Sequence, residues 1–136
     1  MFPAAAAGRN KGEGEKMKLK NVLIVVSDLE RAKAFYRDMF GLSVVLDGEE
    51  NVILTEGLVL QEKSVWEKAV GGRVIEKSLG SELYFEEPQL EGFVRRLEEY
   101  GEPVEMVKGL SEDLGDGNMI RFFDPDGNLI EVRAPG

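Results

Sequence analysis

The feature that most constrains this chain is that it runs through one pattern twice. A β-branched stretch, Lys18–Val26, leads into an apolar stripe of Leu29, Ala32, Phe35, Tyr36 and Met39, closed by Gly41. Glu82–Glu86 leads into a second stripe of Leu90, Phe93, Val94 and Leu97, closed by Gly101. Leu29 and Leu90 are 61 positions apart, and the two glycines are 60 apart. Apolar residues recurring every three or four positions mark a helix with one buried face. A glycine just past such a stripe supplies the left-handed residue on which many helices end. Three short strands follow each helix: Leu42–Asp47, Asn51–Thr55 and Leu58–Glu62, then Pro103–Lys108, Asn118–Phe123 and Leu129–Arg133. Each half therefore reads β-α-β-β-β. One helix covers only one face of its sheet, so a doubled unit of this kind implies an α+β domain. Two βαβββ modules would form a curved mixed sheet around a cavity.

Local signals refine this plan. Ser27 and Glu30 fit a capping box at the start of the first helix. Pro88 suits the first turn of the second, where a missing N–H costs nothing. Gly48 and Gly57 mark turns, and Asp124-Pro125-Asp126-Gly127 is a strong hairpin signal. Ser64–Gly72 reads as a loose segment with one helical turn around Trp66, and Arg73–Gly80 links the halves. Gly109–Gly117 exceeds a simple turn and is expected to be a mobile lid. Residues 1–16 have no periodicity and are set aside as a flexible leader or expression remnant, with Met17 as the natural start. That leaves a single domain over 17–136, with halves at about 17–72 and 80–134.

Alternation along the strands decides which residues face the cavity. Val22, Ile24 and Val26 share one face, and Leu19, Asn21 and Leu23 the other. In the second half Leu83 and Phe85 oppose Glu82, Tyr84 and Glu86, while Ile130 and Val132 oppose Leu129, Glu131 and Arg133. The purely apolar sets belong under the helices and the mixed sets belong to the cavity. Composition narrows the chemistry further. There is no cysteine and no histidine, so thiolate nucleophiles, disulfides and the usual imidazole base or metal ligand are all excluded. A net charge of −9 argues against a nucleic-acid partner. No apolar run is long enough to span a bilayer, and four alanines are too few for a signal peptide, so the expected location is the cytoplasm.

Three segments carry a family resemblance. VSDLERAKAFYRDMFGL (Val26–Leu42), ELYFEEPQLEGFVRRLEEYG (Glu82–Gly101) and, most specifically, FFDPDGNLIEV (Phe122–Val132) resemble the glyoxalase/bleomycin-resistance/dioxygenase, or vicinal oxygen chelate, superfamily. Its members often hold a divalent metal with one residue from each of four strands. Carried over, that set is Asn21, Gln61, Glu82 and Glu131. All four donate oxygen, which suits Mg²⁺ or Mn²⁺, with Ni²⁺ also considered. The iron triad of the extradiol dioxygenases requires histidine and is excluded. The resemblance leaves two functions open. One is a metal-dependent lyase or isomerase acting on a small oxygen-rich substrate, with Glu82 and Glu131 as ligand and base in some order. The other is a metal-free binding protein similar to the bleomycin-resistance proteins, with Trp66, Tyr84 and Phe122 or Phe123 as aromatic walls. Without metal, two glutamates in one dry cavity would repel, raising at least one pKa and making an acid/base pair. Either way the resemblance implies a homodimer and a small-molecule ligand.

Overall fold

A computed structural model describes residues 16–107 and 118–136; the expected lid at Gly109–Gly117 lies outside them, as does all of the leader except Lys16. The elements are β1 (Val22–Val26), α1 (Leu29–Phe40), β2 (Val44–Asp47), β3 (Asn51–Leu54), a 3₁₀ turn (Thr55–Gly57), β4 (Leu58–Glu62) and α2 (Lys63–Val70), then β5 (Leu83–Glu86), α3 (Leu90–Glu99), β6 (Glu105–Met106), β7 (Met119–Phe123) and β8 (Leu129–Arg133). Each half forms its own four-stranded sheet, ordered β1-β4-β3-β2 and β5-β8-β7-β6. In both, the first strand runs parallel to the last and the remaining pairs are antiparallel. The doubled β-α-β-β-β plan is therefore the architecture. Among the described residues, no helix is long and apolar enough to cross a membrane.

Both modules bury the same kind of face, and they bury it together. Val26, Leu58, Leu60, Val52 and Leu54 of the first sheet join Ile130, Val132 and Phe122 of the second in one cluster with α1 and α3. Phe40, the last residue of α1, is where the modules meet. Its ring stacks on Phe85 at 4.3 Å and lies 5.3 Å from Phe93, which in turn lies 6.2 Å from Phe122. Aromatic pairs at such spacings contribute about 0.5–1.5 kcal/mol each beyond the area they bury.

A buried polar latch also joins the halves. Asp124 opens the turn between β7 and β8 and is 4 % exposed. It accepts from the Asp126 and Asn128 backbone N–H groups, both at 2.8 Å, and from the Tyr36 hydroxyl of α1 at 2.6 Å. Asn128 then donates from Nδ2 to the Val25 carbonyl of β1 at 3.2 Å.

Several boundaries differ from the sequence reading, each for a tertiary reason. Asp28, not Ser27, caps α1 by accepting from the Arg31 N–H at 3.0 Å. Ser27 is engaged elsewhere: its N–H and hydroxyl both donate to Asp126 Oδ1, at 2.9 and 2.6 Å. The helix α3 starts at Leu90 with Gln89 as its cap, so Pro88 precedes it, and Tyr100, not Gly101, closes it. The segment expected to hold one turn is the eight-residue helix α2. Its Glu62 cap accepts from Val65 N–H at 3.0 Å, and Gly71 ends it at φ 72°. Strands β1, β2 and β6 are shorter than expected, because only the residues that find ladder partners count as strand.

Candidate functional site

The faces turned away from the helices carry the candidate residues, and the second sheet concentrates them. In β8, Glu131 lies opposite Tyr84 of β5 on one side and Arg121 of β7 on the other. All three share a face, since directly paired strand residues point the same way. Glu131 is a carboxylate with a side chain only 5 % exposed, which demands partners. It has two cationic ones. Arg121 Nη2 donates to Oε1, and Arg133 Nε donates to Oε2 at 2.9 Å. Arg121 reaches further, across β8, where its Nε donates to Glu82 Oε1 at 2.8 Å. Glu82 immediately precedes β5, two strands from Arg121, a span of about 9.6 Å between strand axes.

The two carboxyls titrate in opposite directions. Burial, together with a hydrogen bond to Glu131, pushes Glu82 up, and Arg121 only partly opposes this. Glu131 also resists ionisation through burial, but the hydrogen bond from Glu82 and the guanidiniums of Arg133 and Arg121 outweigh it, so its carboxyl sits below the ordinary value. Of the two, Glu82 therefore keeps its proton to higher pH than Glu131 does. An acid and a conjugate base in contact can exchange a proton with a bound molecule without leaving a bare charge in the sheet.

A cavity of about 240 Å³ opens beside Glu82, in the seam between the two sheets. Leu23 and Val25 of β1, Leu129 of β8 and Val74 and Ile75 of the connecting segment line it together with Glu76, Glu82 and Asp126; of the charge cluster, Glu82 alone reaches it. At about 30 Å³ per water-sized group, it accommodates roughly eight heavy atoms.

The other sequence candidates fall elsewhere. Asn21 just precedes β1 and lies against Gly57, where an added Cβ would come within 3.5 Å of its Oδ1. Gln61 is at the far end of β4, about 13 Å along the strand pair from Asn21. Fully buried, it donates from Nε2 to the Glu50 carbonyl at 3.2 Å and accepts from Asn51 Nδ2 at 3.4 Å. Trp66 is half-buried on α2, which packs on β4 and β1. Tyr84 is 54 % exposed beside Glu131. Phe122, expected as a cavity wall, faces the opposite way: strand alternation turns it under α3 into the core, and Phe123 takes the other face with Lys77 Nζ 6.0 Å from its ring. Among the described residues, no three of His, Cys, Asp and Glu gather in a metal-holding group.

Strand register also relates the two halves position by position. Val22 pairs with Leu58 as Leu83 pairs with Ile130, so Val59 is the counterpart of Glu131 and Gln61 that of Arg133. Ile53 pairs with Val59 as Arg121 pairs with Glu131. The first module thus carries Ile53 and Val59 where the second carries Arg121 and Glu131. Arg121 escaped the sequence reading, although the Asp124–Asn128 turn, which sets Phe123 opposite Leu129, places it across from Glu131.

The profile of a family described as Glyoxalase-like domain matches residues 19–135. The metallothiol transferase FosB of Staphylococcus epidermidis is 25 % identical over 120 residues, covering 85 % of this chain and 80 % of the relative. A protein of unknown function from Agrobacterium tumefaciens superimposes with a TM-score of 0.67 and 27 % identity, over 90 % of this chain and 97 % of that one. A glutamate-to-glutamine variant of the fosfomycin resistance protein FosX from Listeria monocytogenes, complexed with Mn(II) and 1S,2S-dihydroxypropylphosphonic acid, superimposes with a TM-score of 0.62 at 18 % identity, over 88 % and 93 % of the two chains.

Proposed function

We propose, since the chain belongs to the glyoxalase-like family of the vicinal oxygen chelate superfamily, that it takes up a small, oxygen-rich, anionic molecule on the Arg121–Glu131 face of the second sheet, next to Glu82. The observation that carries this reading is the four-residue charge cluster of Glu82, Arg121, Glu131 and Arg133. The guanidinium of Arg121 suits an anionic ligand. Glu82 is placed to donate a proton to such a ligand, and Glu131 to hold the cluster ionised around it.

The metal of the Mn(II)-bound relative fits these residues poorly. Both glutamates already take a guanidinium, and Gln61 is committed to Glu50 and Asn51 in the other sheet. Metal-dependent lyase or isomerase chemistry is the second reading, supported by the metallothiol transferase relative. Two expectations belong to the same proposal: a location in the cytoplasm and a homodimer. The exposed Val44, Val45 and Leu46 on the edge strand β2 support the dimer.

The test is a titration of chelator-treated protein with fosfomycin and with 1,2-dihydroxypropylphosphonic acid, followed by backbone amide NMR. Saturable shifts centred on Glu82, Arg121 and Glu131, and weakened at least tenfold by Glu131→Gln, are expected. Saturation that requires added Mn²⁺ would transfer the case to the metal-dependent reading. No saturable shift with either compound would overturn the proposed ligand class.

A further inference from the structure

We infer that Arg121 is the resident cation of this site, standing where the carboxylates would otherwise hold a divalent metal. The inference rests on the reading that the Glu82–Glu131 face is the functional site, and it concerns what that site is built to bind. A divalent ion and a guanidinium compete for the same thing, namely carboxylate oxygens converging from neighbouring strands. Here the guanidinium has them. Arg121 donates to one oxygen of Glu82 and to one of Glu131, and Arg133 takes the second oxygen of Glu131.

The geometry also gives the arginine a use that a buried structural ion pair would lack. Arg121 offers five N–H donors in a planar fork. Its bonds to Glu82 and Glu131 use Nε and Nη2, and Nη1 has no partner among the described residues. The side chain is 24 % exposed, so this edge remains open to solvent. Held by two carboxylates, the guanidinium has already lost its rotamer freedom, and an incoming oxyanion meets donors that need no further ordering. The ligand chemistry that follows is a single carboxylate, phosphonate or enolate oxygen pair, bound by fork geometry and not by coordination.

The experiment is a Mn²⁺ titration read by the loss of the free-ion electron paramagnetic resonance signal, with thermal melts confirming folding. The wild-type chain is expected to show no saturable site at a tenfold excess of metal. Arg121→Ala is expected to gain one site per chain, because it frees Glu82 and Glu131. Arg121→Ala combined with Glu131→Gln is expected to lose it again. Arg121→Met serves the same purpose with more of the side-chain volume kept, should the alanine variant fail to fold. A wild-type chain that binds one Mn²⁺ and loses it on Glu131→Gln overturns the inference. A folded Arg121 variant that gains no metal also overturns it, since the two carboxylates then do not form a cation site. Neither outcome depends on phosphonate binding, so the ligand proposal above stands or falls separately.

Discussion

Removing the Tyr36 hydroxyl isolates the latch between the two halves. The Tyr36→Phe substitution keeps the ring, which is fully buried, 5.2 Å from Phe35 and stacked at 5.4 Å on Phe40. What is lost is one hydrogen bond of 2.6 Å to a carboxylate that is 4 % exposed. Hydrogen bonds to charged groups contribute about 1.5–3 kcal/mol. Asp124 Oδ2 still accepts from Asn128 Nδ2 at 3.0 Å, so the oxygen is not orphaned, and the lower part of that range applies. The expected loss is about 1.5–2 kcal/mol, or roughly 5–10 °C in Tm for a domain of this size.

The pH dependence gives a second, independent reading of the same bond. Burial raises the Asp124 carboxyl above its ordinary value, while the Tyr36 hydroxyl pulls it back down. Phenylalanine removes that pull, so the carboxyl rises further. In the folded state the variant then takes up a proton at higher pH than the wild type does. Stability falls as pH rises through a raised carboxyl pKa, so the gap between variant and wild type is widest near neutrality and narrows on acidification. Urea unfolding followed by circular dichroism at about pH 7 and at about pH 4.5 measures both quantities. A loss below about 0.5 kcal/mol, or a gap that stays constant between the two conditions, would refute the reasoning.

Two further outcomes test other parts of the structure. Glu131 has a lowered carboxyl, so its contribution is present above the ordinary value of 4.5 and is lost as pH falls through the folded pKa; Glu131→Gln should flatten the acid limb of the stability profile measured by chemical unfolding. Asp28→Ala should cost about 1 kcal/mol by the same measurement through loss of the α1 cap, whereas under the Ser27 capping box it would cost close to nothing.

The fold was largely legible because its evidence is periodic. The doubled stripe of Leu29 to Met39 and Leu90 to Leu97, with strands alternating around it, needs no long-range information to be read. That Glu82, Tyr84 and Glu131 belong to the face opposite the helices was legible for the same reason, since alternation alone turns them away from the core. Where the reading failed, the deciding contact came from far along the chain. Ser27 and Asp28 are equally good caps by type; Asp126, 99 residues on from Ser27, settles which one is free to act. Gln61 looks like a cavity amide until the fold brings Glu50 and Asn51 of the neighbouring strand onto it. Phe122 and Phe123 are adjacent and chemically alike, so only the register of β7 against β8 assigns one to the core and the other to the opposite face.

The correspondence between Ile53–Val59 and Arg121–Glu131 has a consequence for what the sheet itself requires. The two modules present the same sheet position twice, once as an aliphatic contact and once as an ion pair. The sheet therefore closes there without any charge, and exchanging a buried ion pair for well-packed apolar side chains is often neutral or stabilising. The Arg121–Glu131 pair is thus a departure that folding does not require, tolerated because the other half continues to satisfy the architecture. A repeated domain of this kind can close one copy of a position with aliphatic side chains and leave the other for charge.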